Sequence, residues 1–74
     1  MTNMDLKEKY TLKQNFFGSI IDLINAETNQ ELRAIFTSIE LQLFKLKTVC
    51  TPSEIEELKR VLIEAHDEVV ANGV

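Results

Sequence analysis

The chain has 74 residues with 8 basic and 12 acidic side chains, and its formal net charge is −4 with the single histidine neutral. This length predicts a single domain, residues 1–74. Its folding stability is expected to be marginal, because a chain this short buries only about 60% of its unfolded surface. One cysteine excludes an internal disulfide, and no Cys/His cluster is present for zinc. Efficient helix packing, self-association or a partner must therefore supply the stability.

No stretch of the sequence approaches the ~18 consecutive apolar residues that a membrane span needs. Residues 1–5 lack the basic segment followed by an apolar run that marks a secretory signal. Together with the lone thiol, these features predict a cytoplasmic protein that has no membrane partner, no metal and no cofactor.

The spacing of apolar residues predicts an all-α fold, a small up-down-up three-helix bundle with helices at about 4–26, 29–48 and 52–71. In helix 1 the apolar residues cover about half of the circumference, which is wider than an ordinary core stripe of ~100°. Thr11 and Gln14 have the spacing of a capping box, so residues 1–10 are either the first turns of helix 1 or a separate turn or frayed segment before Leu12. Gly18 either permits a close helix crossing or is tolerated at a cost of about 1 kcal/mol relative to alanine.

Capping signals mark the starts of helices 2 and 3. Thr28 and Glu31 have the spacing of a capping box, in which the hydroxyl accepts from a backbone N–H and the carboxylate reaches back. Thr51, Pro52 and Glu54 repeat the pattern with proline at the first helical position, where its missing N–H costs nothing. These signals predict two sharp helix boundaries joined to their neighbours by short connections.

Helix 2 carries more apolar residues than one core stripe requires. An arc of roughly 100° contains six of them: Leu32, Ile35, Phe36, Ile39, Leu43 and Leu46. Leu41 and Phe44 fall on the opposite side, next to Thr37. We interpret this surplus, together with part of helix 1, as a protein-binding or self-association surface. The alternative is that helix 2 lies centrally, with helices 1 and 3 on different sides of it.

The excess acidic charge lies in the last third of the chain, where residues 51–74 hold six carboxylates against Lys59 and Arg60. Glu64, Asp67 and Glu68 have i, i+3 and i+4 spacing and so share a helix face. A negative field of this kind attracts basic partners and repels phosphate. These acids are interpreted either as a solvent-exposed helix surface without a binding role or as an acidic patch that binds a basic protein.

His66 and Cys50 are the residues of the chain considered for pH sensing and for nucleophilic catalysis. His66 has Leu62, Ile63, Val69 and Val70 as helical neighbours, so it is interpreted as a half-buried packing residue or as a pH-sensitive contact. Cys50 is interpreted as a small packing residue whose position before helix 3 lowers its pKa slightly. A catalytic cysteine needs a nearby base, and His66 lies about four helical turns into helix 3.

We therefore expect a non-enzymatic regulatory or adaptor protein, of a size typical of small bacterial or phage regulators. It would act by protein–protein binding. This binding would either inhibit a basic or nucleic-acid-binding partner or join two copies of the chain into a homodimer. The predicted partner-binding residues are Leu41, Phe44, Thr37, Glu64, Asp67 and Glu68. The alternatives are a structural homo-oligomer without another partner and a helix-turn-helix-like nucleic-acid regulator, although the acidity of helix 3 makes direct nucleic-acid binding unfavourable.

Overall fold

A computed structural model describes the backbone of residues 3–74 and the side chains of residues 6–74. Within this part of the chain the fold consists of three helices and no strand: α1 (Asn3–Ile24), α2 (Asn29–Leu46) and α3 (Pro52–Ala71). The predicted all-α three-helix bundle is confirmed. Helix α1 continues without a break through Thr11, so no separate turn precedes Leu12. Residues 1 and 2, and the side chains of residues 3–5, lie outside the described part.

Side-chain caps fix the starts of α2 and α3. The Thr51 hydroxyl accepts from the Glu54 N–H at 3.2 Å, and the Glu54 carboxylate accepts from the Thr51 N–H at 3.0 Å, so this capping box is complete. At α2 the Thr28 hydroxyl accepts from the Glu31 N–H at 3.1 Å, but the Glu31 carboxylate bonds the N–H of Glu27, one residue before the cap. Local hydrogen bonds therefore set the starts of both helices. At α2 the carboxylate accepts from Glu27, one residue before the position that the capping box predicts.

One core runs the length of the bundle. Its buried apolar residues come from all three helices and from the first connection: Phe16, Ile20, Leu23, Ala26, Leu32, Ile39, Leu43, Leu46, Ile55, Leu58, Leu62, Ala65 and Val69. Each helix contacts both of the others, so the helices pack as a triangle. The alternative with helix 2 in the middle does not occur, and the outer side of α2 has no helix covering it.

Two polar or aromatic contacts show which side of α2 faces each neighbour. The Gln42 side-chain amide donates to the Ser19 hydroxyl of α1 at 2.8 Å. On the other side of α2, the Phe36 ring packs against the His66 ring of α3, with ring centroids 4.9 Å apart. The remaining circumference of α2 faces solvent.

Beside the core, an ion pair also joins α1 to α3. The Lys9 ammonium lies 2.8 Å from one carboxylate oxygen of Glu54, and the Lys13 ammonium lies 3.6 Å from the same oxygen. Because the bundle runs up, down and up, α1 and α3 are parallel. This contact places Lys9 and Lys13, from the first half of α1, beside the first turn of α3. None of the helices in residues 3–74 combines the length and the apolar character that a membrane span requires.

Candidate functional site

Leu41 and Phe44 lie on the uncovered side of α2. Their side chains are 64% and 71% exposed, and Phe44 is the most exposed large apolar residue among the described side chains. Thr37 is also exposed and lies one turn before Leu41 on the same side. The Lys47 ammonium lies 5.9 Å from the centroid of the Phe44 ring, at the outer limit of a cation–π contact. These residues form what we call the α2 outer face: Thr37, Leu41 and Phe44.

An open groove of about 890 Å³ separates α1 from α2, and Leu41 stands on its rim. Most of the lining is polar: Gln14, Asn15, Ser19, Asp22, Ser38, Gln42 and Lys45, with Leu12 and Gly18. A Cβ atom built at Gly18 would meet no other atom within 4 Å. Of the two interpretations of Gly18, the close helix crossing is therefore wrong, since no neighbouring helix approaches it closely.

The groove contains one polar contact that sequence reasoning missed. Gln42 Nε2 donates to Ser19 Oγ at 2.8 Å, whereas Gln42 Oε1 is shielded from solvent and has no hydrogen-bond partner. Leaving a buried acceptor unpaired costs on the order of 1–3 kcal/mol. The sequence gives little indication of this contact, because Ser19 and Gln42 each lie at the edge of the apolar stripe of their helix and not within it. The groove therefore has a mainly polar lining, with Leu12 and Leu41 as its large apolar residues.

Phe44 borders a second, smaller depression of about 220 Å³. Its other lining residues are Glu8, Leu12, Lys45 and Thr48. Neither this depression nor the larger groove is lined by a residue of α3. The α2 outer face is therefore continuous with α1 and separate from the third helix.

The acidic residues predicted for partner binding lie elsewhere. Glu64, Asp67 and Glu68 are exposed along α3, and the Asp67 carboxylate lies 3.6 Å from Nδ1 of His66. Glu64 borders a shallow depression lined by residues of α3 alone. The predicted binding residues therefore form two groups, one on α2 and one on α3, that do not meet in a single site.

Cys50 and His66 are both half-buried beside the core. Burial raises the pKa of the Cys50 thiol, the nearby Glu54 carboxylate raises it further, and the Lys9 ammonium opposes them. The expectation that the helix start lowers this pKa is therefore wrong, because desolvation outweighs it. His66 packs against Phe36, in agreement with the interpretation of a half-buried histidine.

Sequence reasoning did not assign a row of exposed apolar residues on α1. The row contains five side chains along one side of the helix: Leu6, Tyr10, Phe17, Ile21 and Ile24. The wide apolar arc of helix 1 predicted more apolar surface than one core stripe needs. It did not predict which edge of that arc would be exposed to solvent. This row lies on the side of α1 that carries Lys13, and so next to α3.

The chain matches no protein-family model, and no curated protein or solved structure is significantly similar to it. Within the described residues, no group of three or more His, Cys, Asp or Glu side chains is placed to hold a metal ion. The exposed apolar surfaces and the acidic side of α3 are therefore the features from which a function can be argued.

Proposed function

We propose that this chain is a small non-enzymatic regulatory or adaptor protein that acts by binding another protein. The observation that supports this proposal is the exposure of Leu41 and Phe44 on one side of α2, at 64% and 71%. Covering one such side chain completely is worth ~1.5–3 kcal/mol, so a partner that covers both gains a substantial part of a binding free energy. Aromatic side chains often dominate interface energetics, which makes Phe44 the expected anchor.

The groove beside these residues supplies the polar part of the interface. Asp22 and Lys45 lie in its lining with opposite charges. A bound segment would place its apolar side chains over Leu41 and Phe44 and its hydrogen-bonding groups in the groove. This arrangement, an apolar centre with a polar surround, is typical of protein–protein interfaces.

The acidic third helix adds long-range attraction for a basic partner. Residues 51–74 hold all of the excess negative charge, and Glu64, Asp67 and Glu68 project into solvent. Such a field accelerates association with basic proteins without direct contact, and it weakens with added salt. A basic partner that normally binds nucleic acid would be inhibited by a protein of this charge, which is the form of regulation we favour.

The proposal is tested with matched surface variants. Leu41→Ser and Phe44→Ser remove the anchors, and Ile63→Ser, at an exposed position of α3, removes a similar apolar area elsewhere. We expect quantitative affinity capture from host extract to recover a protein with the parent chain and with Ile63→Ser, and to lose it with the two α2 variants. Circular dichroism establishes that each variant remains folded. Equal capture by all four proteins would contradict a role for the α2 outer face.

The same exposed residues also favour the alternative of a homo-oligomer. Sedimentation velocity separates the two proposals, because a homo-oligomer through the α2 outer face dissociates in Phe44→Ser, whereas a protein that binds a different partner sediments as a monomer with or without the substitution. If the Phe44→Ser variant is folded and monomeric and still captures the partner, the α2 outer face is not the surface through which this protein acts.

A further inference from the structure

The apolar row of α1 lies beside a row of carboxylates on α3. The Lys13 ammonium reaches Glu54 at 3.6 Å, so the side of α1 that carries Lys13 borders α3. Helical spacing puts the five residues of the row within roughly 80° of Lys13: Leu6, Tyr10, Phe17, Ile21 and Ile24. Tyr10 and Ile21 are 63% and 60% exposed, so this side of α1 is open to solvent along its length.

The opposite edge of this surface is acidic. Glu54 contacts α1, and Val61 and Glu68 follow it at intervals of two helical turns, so they lie on the same side of α3. Glu57 and Glu64 lie next to that line, further towards solvent. Val61 packs against the core, and Glu57, Glu64 and Glu68 are exposed. The carboxylates therefore form a row parallel to the apolar row of α1.

Phe17 gives the surface a fixed anchor. Its ring packs edge-on against the fully buried Phe16, with ring centroids 5.4 Å apart and ring planes at 87°. Phe17 is nonetheless 43% exposed, so part of its ring is available to a partner. A side chain that already packs against a buried ring has less conformational freedom to lose on binding, which favours affinity.

We propose that this combined surface, the α1–α3 face, binds an amphipathic helix of another protein, with the helix's apolar stripe on the α1 row and its Lys or Arg residues along the α3 carboxylates. The row from Leu6 to Ile24 is about 27 Å long, which corresponds to about five turns of a partner helix. Helix-in-groove binding of this kind uses apolar anchors at i, i+3 or i+4 and i+7. The proposal goes beyond the α2 outer face, because it names a second surface and the chemistry of what it binds.

Charge argues that the occupant is not a second copy of this chain. A two-fold contact between two α1–α3 faces has two arrangements. An axis across the helices stacks α1 on α1 and α3 on α3, which opposes carboxylates to carboxylates. An axis along the helices stacks the apolar row of each copy on the carboxylates of the other. Both arrangements juxtapose like charges or desolvate unpaired ones, whereas a basic amphipathic helix complements both rows.

The test uses two synthetic helical peptides of 18 residues as probes, matched to the length of the α1 row. Both carry the same leucine stripe at i, i+3, i+4 and i+7, one with lysines along the flank and one with glutamates. Fluorescence anisotropy of the labelled peptides measures affinity, and amide shifts in NMR spectra of the labelled protein locate the contact. We expect saturable binding of the lysine peptide, weakened at least ~10-fold when ionic strength rises from about 0.05 to 0.3 M, with shifts confined to α1 and α3.

Protein variants then separate this face from the α2 outer face. Ile21→Ser and the double variant Glu57→Lys/Glu68→Lys change exposed positions only, and each is expected to weaken binding of the lysine peptide about tenfold or more. Phe44→Ser is the matched control and should leave that affinity unchanged, even if it abolishes capture of the partner of the α2 outer face.

Four results would overturn the proposal: no binding of the lysine peptide up to ~1 mM, equal binding of the glutamate peptide, shifts centred on Leu41 and Phe44, or a dimer of the protein itself that Ile21→Ser dissociates.

Discussion

Lys9 donates a hydrogen bond to the Glu54 carboxylate at 2.9 Å, although the two residues are 45 positions apart in the chain. The pair joins the first half of α1 to the first turn of α3, and the same carboxylate accepts from the Thr51 backbone in the capping box. The Lys9 hydrogen bond, followed by that from the Thr51 N–H, lowers the pKa of Glu54 to about 2, and the same contact raises the pKa of Lys9. One carboxylate therefore serves a helix start and a tertiary contact.

We expect this contact to make stability depend on pH in the acid range. Because the pKa of Glu54 is lower in the folded protein, its contribution is complete above about pH 4.5 and is lost as the pH falls towards about 2. In Glu54→Gln the amide still caps the helix, so only the charge is removed. The stability difference between parent and variant, measured by urea unfolding, should be largest near neutrality and shrink below pH 4.5.

Glu56→Gln, a substitution at an exposed position of the same helix turn, is the control for this experiment. Its difference from the parent chain should be small throughout the same pH range. A difference for Glu54→Gln that stays constant from pH 7 to about pH 2 would contradict the assignment.

Gly18→Ala should stabilise the protein by about 0.5–1 kcal/mol, because alanine favours a helix interior over glycine. The added methyl group meets no atom within 4 Å, so no steric cost offsets the gain. Chemical denaturation measures the change. A loss of stability would mean that α2 approaches Gly18 more closely than the open groove implies.

Two leucines of α2 provide a matched comparison of core and surface. Leu46 is fully buried, so Leu46→Ala should cost about 2–5 kcal/mol, which is enough to unfold much of a chain this small. Leu41→Ala, the same chemical change at an exposed position, should alter stability by no more than ~0.5 kcal/mol. The midpoint of thermal unfolding distinguishes the two variants. A large cost for Leu41→Ala would indicate that this side chain is covered in solution.

The Cys50 thiol should react slowly with a disulfide reagent near neutral pH. Burial raises its pKa and limits access, so less thiolate is present than in the unfolded chain. Glu54→Gln removes a carboxylate that raises this pKa further, and the variant should therefore react faster. A folded protein whose thiol reacts as fast as the thiol in urea would contradict this expectation.

The helices and their starts were predictable because they depend on nearby residues. Thr51 and Glu54 are three positions apart, and their hydrogen bonds need no tertiary contact. At α2 the same logic predicted the Thr28 bond but not that Glu31 would bond Glu27, because two N–H groups lie within reach of one carboxylate. Local chemistry fixes which residues form a helix start, and small backbone differences fix which hydrogen bond is made.

The surfaces were less predictable, because they depend on how the helices pack against each other. Phe16 and Phe17 are adjacent and chemically identical, yet Phe16 is fully buried and Phe17 stays exposed. A helical wheel shows that both lie in one apolar arc but not which edge of the arc meets α3. The Lys9–Glu54 contact shows which edge borders α3, and nothing local to either residue indicates it. The exposure of Leu41 and Phe44 was accessible from the wheel because they lie opposite the core stripe.

The position of Tyr10 has a spectroscopic consequence. It is the chain's single tyrosine and the chain contains no tryptophan, so all tyrosine emission comes from this one phenol in the exposed row of α1. Contact with another molecule there changes the polarity around the ring and its access to dissolved quenchers such as acrylamide. The fluorescence of Tyr10 in the unmodified protein therefore reports binding at that surface. Contacts made only at α2 leave this fluorescence unchanged.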